Sequence, residues 1–154
     1  MQDHIGVQTE DFSLAEQYAL LCQQNRQDGA VVTFVGLVRD MNQGNQVTGL
    51  TLEHYPAMTN KVLADIVVQA RARWPLGRVR LVHRVGPLDL GDQIVFVGVS
   101  AGHRGDAFAA CEFIMDFLKT QAPFWKKERS TQGEYWVEAR QQDQHKAGRW
   151  GDKS

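Results

Sequence analysis

The chain has 154 residues and a formal net charge of −1, a size that suits one domain with a core of its own. Its residues are 43% hydrophobic and 23% charged, ordinary for a globular protein, and no apolar run approaches the ~20 residues that span a bilayer. The near-neutral charge, with no basic aromatic stripe along a strand, argues against a nucleic-acid binder.

The N-terminal Met1-Gln2-Asp3-His4-Ile5 lacks the basic-then-apolar order of a secretory leader, so a cytoplasmic location is expected. Residues 1–12 read as a loose or extended lead-in. Ser13 is placed to cap a helix, with Glu16 completing a capping box. Leu14, Tyr18, Leu21 and Cys22 follow at helical spacing, and Gly29 ends the polar run after them. Ala30 to Val38 is rich in β-branched and aromatic residues, a strand in which Gly36 signals a bulge or a close approach. Asp40 to Gln46 reads as a mobile loop. Val47 to Tyr55 alternates as a second strand, expected antiparallel to the first through that loop.

Thr59 is expected to cap a long helix whose buried face carries Val62, Leu63, Ile66, Val67, Ala70 and Trp74. Val79, Leu81 and His83 alternate in a third strand. Pro87 to Asp92 reads as a connector, and Ile94 to Val99 as the centre of the sheet. After the break at 102–106, Phe108, Cys111, Ile114, Met115 and Leu118 form the buried stripe of a third helix. Pro123 stops that helix. Residues 124–128 and Trp136-Val137 read as a hairpin, and 141–154 as a polar tail that is loose or docks on a neighbour. The order of elements predicts an α+β, two-layer fold with helices on a mostly antiparallel sheet.

Chemistry concentrates around Pro123. From Lys119 to Arg129 there are four basic residues and one acid, a local charge of +3 on a near-neutral chain, which suits a small anion. Lys119 closes the third helix near its buried stripe. Partial burial and neighbouring cations would favour its neutral amine and allow it to act as base or nucleophile. Arg39 ends a strand. His103 and Arg104 open a helix, where free N–H groups and an arginine can grip a phosphate. Convergence of these pieces is expected but is not given by spacing. Glu53 and Glu112 are possible partners for the cations, while His54 and His83 read as structural. Cys22 and Cys111 have no ligand neighbours at zinc spacing and read as small buried hydrophobes, so no metal is expected. No phosphate-loop or dinucleotide pattern is present.

Several strings resemble the catalytic (large) subunit of molybdopterin synthase. They are Val32-Thr33-Phe34-Val35-Gly36-Leu37-Val38-Arg39, Leu52-Glu53-His54-Tyr55-Pro56-Ala57-Met58, Arg73-Trp74-Pro75-Leu76-Gly77, His83-Arg84-Val85-Gly86, His103-Arg104 and Leu118 through Glu128. They occur in order over roughly residues 28–140. The resemblance implies an α/β hammerhead-like fold with a small additional antiparallel subdomain, inserted around 36–56 of a single catalytic domain over 1–140. It implies a sulfurtransferase that builds the dithiolene of molybdopterin on cyclic pyranopterin monophosphate. The sulfur would come from the C-terminal glycine thiocarboxylate of a small ubiquitin-like partner, in a heterotetramer with a homodimer core, without cofactor or metal. Lys119 and Lys126 match the family's catalytic lysines, and Arg39, His103, Arg104, Lys127 and Glu128 its substrate pocket. Leu37 stands where some members have a basic residue, and Gly102 where alanine is common. The competing reading is a non-catalytic module that binds a ubiquitin-like tail or an anionic metabolite.

Overall fold

A computed structural model describes residues 3–39, 47–130, 133–137 and Trp150. The expected loop at 40–46 and, apart from Trp150, the expected tail at 141–154 lie outside these residues. Two four-stranded sheets organise the described chain. The first runs β1 (His4–Gln8), β4 (Leu76–Arg84), β6 (Gln93–Ala101) and β2 (Ala30–Leu37), with only the β1–β4 pair parallel. The second runs β5 (Gly86–Asp89), β3 (Val47–His54), β7 (Phe124–Ser130) and β8 (Gly133–Val137), all antiparallel. This is the α+β architecture expected, with three helices among the described residues.

The strand β6 sits between β4 and β2, as its apolar run requires. Its alternation sends Val95, Val97 and Val99 into the main core, against Leu63, Ile66, Val67 and Ala70 of α2 (Pro56–Arg73) and Phe113, Ile114 and Leu118 of α3 (Arg104–Gln121). Phe96 faces the other way, toward Phe12 and toward Leu21 of α1 (Leu14–Cys22). The backbone of Gly98 lets α1 come this close, because a Cβ there would stand 2.5 Å from Leu21 Cδ1. Ser13 caps α1 by accepting the Glu16 N–H at 3.2 Å.

The lead-in is more ordered than its sequence suggests, since His4–Gln8 pairs with β4. Gly36 marks a register shift against β6, and a Cβ there would meet Val95 Cγ1 at 2.8 Å. Two expectations are corrected. β3 does not pair with β2; it joins β5 and β7 in the second sheet. The apolar alternation of β3 required a partner but did not name one. Helix α2 also starts earlier than Thr59, at Pro56, whose missing N–H costs nothing in a first turn. The Thr59 side chain is buried, and its hydroxyl donates to the Tyr55 carbonyl at 2.8 Å. The connector at 87–92 also supplies β5. No described helix is long and apolar enough to cross a membrane.

Candidate active site

Helix α3 ends at Gln121, and Ala122 turns extended at φ −66° and ψ 131° ahead of Pro123. The Phe124 N–H donates to the Ala122 carbonyl at 2.8 Å, closing a tight reversal into β7. A residue on the last helical turn, Lys119, is thereby brought beside the third residue of the strand, Lys126. Both lysines line one cavity of about 220 Å3 between the two sheets. Its other walls are Leu52 of β3, His83 of β4, Ile94 and Val95 of β6, Met115, Leu118 and Thr120 of α3, and Ala122 and Phe124. Among the described residues its lining includes two ammonium groups and no carboxylate, so an anion entering it meets positive charge beside apolar walls.

Lys119 also lines a second, wider groove of about 500 Å3 bounded by Val32, Thr33 and Phe34 of β2 and by Phe108, Cys111, Glu112, Met115 and Asp116 of α3. Lys119 and Met115 are therefore common to both spaces. In the single chain Lys119 is exposed, not partly buried as expected from the helix pattern. A side chain on the last turn passes beyond the sheet that shields Leu118. Burial together with the Glu112 charge pushes the Cys111 thiol up to about 12, so at neutral pH it is no nucleophile.

The sequence-predicted residues do not all gather here. In β7, Phe124, Lys126 and Glu128 fall on one face and Trp125, Lys127 and Arg129 on the other. Glu128 thus shares a face with Lys126 but stands opposite Leu50, further along the strand. Lys127 turns away, 4.7 Å over the Trp136 ring and 3.9 Å from Glu134. Arg39 follows β2 at the Gln93 end of β6, the end toward which α3 carries Lys119. His103 and Arg104 lie at the opposite end, just after Ala101, which pairs with Ala30. Fifteen helical steps lead from Arg104 to Lys119, about 22 Å along the axis. His103 occupies the N-cap of α3 without a side-chain capping bond, and it and Arg104 are exposed. Within one chain the amine pair and the His103-Arg104 pair are separate sites.

His83 was read from sequence as structural, yet it lines the cavity. Its ring stacks on Phe124, with centroids 4.1 Å apart and planes at 21°. Burial, together with the nearby Lys119, Lys126 and His54, lowers its pKa to about 4, against a smaller opposing effect of its hydrogen bond to the Arg84 carbonyl. The signal for it was the phase of β4: Val79 and Leu81 face the core, so His83 does too.

An α+β scaffold that brings two lysines from separate elements to one cavity, with no acid among its described lining residues, has the layout of an anion site. The chain belongs to the MoaE protein family, whose model matches residues 7–121. It is 59% identical to the molybdopterin synthase catalytic subunit of Vibrio cholerae over 97% of this chain and 99% of that one. Among solved structures, the molybdopterin biosynthesis MoaE protein from Burkholderia ambifaria aligns with a TM-score of 0.84 and 51% identity, covering 99% of this chain and 100% of that one. The fold is also that of a chain in the complex of subunits 1 and 2 of the molybdopterin-converting factor from Helicobacter pylori, with a TM-score of 0.69, 19% identity and 90% coverage of each chain.

Proposed function

We propose that the chain is the catalytic subunit of a cytoplasmic molybdopterin synthase, with residues 1–140 acting as one catalytic domain. It moves sulfur from the C-terminal thiocarboxylate of a small ubiquitin-like subunit to cyclic pyranopterin monophosphate. The relatives are named as molybdopterin synthase catalytic subunits, and the complex from Helicobacter pylori pairs subunits 1 and 2 of the molybdopterin-converting factor. The observation that carries the reading is the meeting of Lys119 and Lys126 in a narrow cavity free of acid. An extended glycine tail fits such a space, and its thiocarboxylate is an anion of the required charge.

Lys119 assists attack by the sulfur and departure of the partner's carboxylate, by proton transfer or transient acyl capture. Lys126 stabilises negative charge as it develops. Arg39, at the same end of the sheet, holds the phosphate of the substrate. His103 and Arg104, about 22 Å along α3 from Lys119, serve the site of a second copy, which makes the homodimer part of the active assembly. Glu128 orients the cations of β7, and Lys127 is the weakest member of the predicted set because it faces away. Single-turnover synthesis with thiocarboxylated partner tests the reading. Lys119→Ala is expected to lose at least about a hundredfold in rate while retaining partner and precursor. Normal dithiolene formation by that variant overturns the assignment, and a wild type that holds both ligands without releasing product is a binding module instead.

A further inference from the structure

Phe124 lies between two histidines. His83 stacks on it at 4.1 Å, and His54 tilts against it at 6.0 Å. Each imidazole is tied down through Nδ1. His83 Nδ1 lies 2.9 Å from the Arg84 carbonyl, which only accepts, so Nδ1 carries the proton. His54 Nδ1 lies 3.1 Å from Thr59 Oγ1, whose own hydrogen is given to Tyr55, so it too is the donor. In the neutral rings both Nε2 atoms are left as acceptors, held at fixed angles by the stack.

Only His83 of the two lines the cavity with the lysines. The other neutral polar side chain there, Thr120, donates its hydroxyl to the Asp116 carbonyl at 3.1 Å. An ammonium that leaves water to meet an anion against an apolar wall needs an acceptor to fix its direction. A carboxylate would provide one but would cancel the charge that an incoming anion needs. A neutral imidazole provides one and leaves the charge intact. We propose that His83 is a positioning residue: when an anion draws the exposed Lys119 side chain into the cavity, His83 Nε2 accepts from its amine and aims it without neutralising it, a hydrogen bond that the single chain does not make. That this serves sulfur transfer rests on the function proposed above; the placement of the imidazole does not.

The groups facing His83 support this role. Lys119 comes from α3, Lys126 from β7 and His54 from β3, while the Arg84 carbonyl belongs to its own strand. β6 presents Ile94 and Val95, and β1 sets Val7 opposite it. With burial and three cationic or titratable neighbours against protonation, the ring stays an acceptor throughout the neutral range.

Two measurements test the proposal. His83→Phe keeps an aromatic ring against Phe124 and removes the acceptor, whereas His83→Gln restores an oxygen near the place of Nε2. In single turnover with thiocarboxylated partner, His83→Phe is expected to fall about tenfold to a hundredfold in rate with precursor affinity nearly unchanged, and His83→Gln to recover most of the loss. Equal rates for wild type and His83→Phe, or a Gln variant no better than Phe, overturn the role. The second measurement, nitrogen-15 NMR of the imidazoles, needs no turnover. His83 is expected as the Nδ1–H tautomer with a midpoint near 4, and Lys119→Met is expected to raise that midpoint. A midpoint near the ordinary 6.5, or one unmoved by Lys119→Met, overturns the contact. A wild type that makes no product defeats the functional reading alone, because the imidazole signals still decide this one.

Discussion

The two sheets are built for different tasks. The first is sealed on the α2–α3 side by Val95, Val97, Val99, Phe113 and Ile114, all nearly inaccessible. The second meets the first at a small cluster of Val38, Leu52, Val85 and Leu88, and beside that cluster it leaves a lysine-lined cavity open. Close packing gives the first sheet its rigidity. The gap at the seam brings the exposed Lys119 and the half-buried Lys126 to the edge of apolar walls, where an anion that enters is attracted more strongly than in bulk water. Rigidity and the candidate site are thus divided along the line where α3 leaves one sheet and β7 enters the other.

This division can be broken from either side. The largest effect on stability is expected from Phe113→Ala in the sealed layer. That ring is 1% exposed and packs edge-on against Trp74 and Trp150, so its loss should lower unfolding free energy by about 3–5 kcal/mol in denaturant titration. Lys119→Ala, being exposed, should leave the same titration nearly unchanged while abolishing activity.

The next effect is a pH dependence that arises at the seam. The folded-state pKa of His83 lies below its unfolded value of 6.5, at about 4. Between these values the unfolded chain binds more protons, so stability is complete above about 6.5 and is lost as pH falls toward 4. The loss should be on the order of 3 kcal/mol. His4, whose pKa is lowered by burial and then by Arg80, adds to the same slope. Stability measured against pH should show this fall in the wild type and a shallower one in His83→Phe.

The smallest effect sharpens the contrast at a distance from the seam. Ser13→Ala removes the cap that accepts the Glu16 N–H and should cost about 1 kcal/mol by thermal or chemical denaturation. Turnover per folded molecule should not change, because α1 covers the face of the first sheet turned away from the cavity.

What the sequence by itself determined is local. Ser13, Pro56 and Pro123 act within a turn of where they stand, and period-two and period-3.6 alternation mark which faces are apolar. Hence the helices, the central β6, the terminal hairpin and the neighbouring pair Lys119 and Lys126 were legible. Only the tertiary structure decided which strand β3 joins, because backbone hydrogen bonding is the same for every partner. It alone separated His103 and Arg104 from Lys119, since charge similarity says nothing about which end of a helix faces a site. It also turned His83 from a core residue into a wall of the cavity. A side chain on an apolar face becomes functional only where a second sheet stops short of covering it, and that gap belongs to the packing of distant segments.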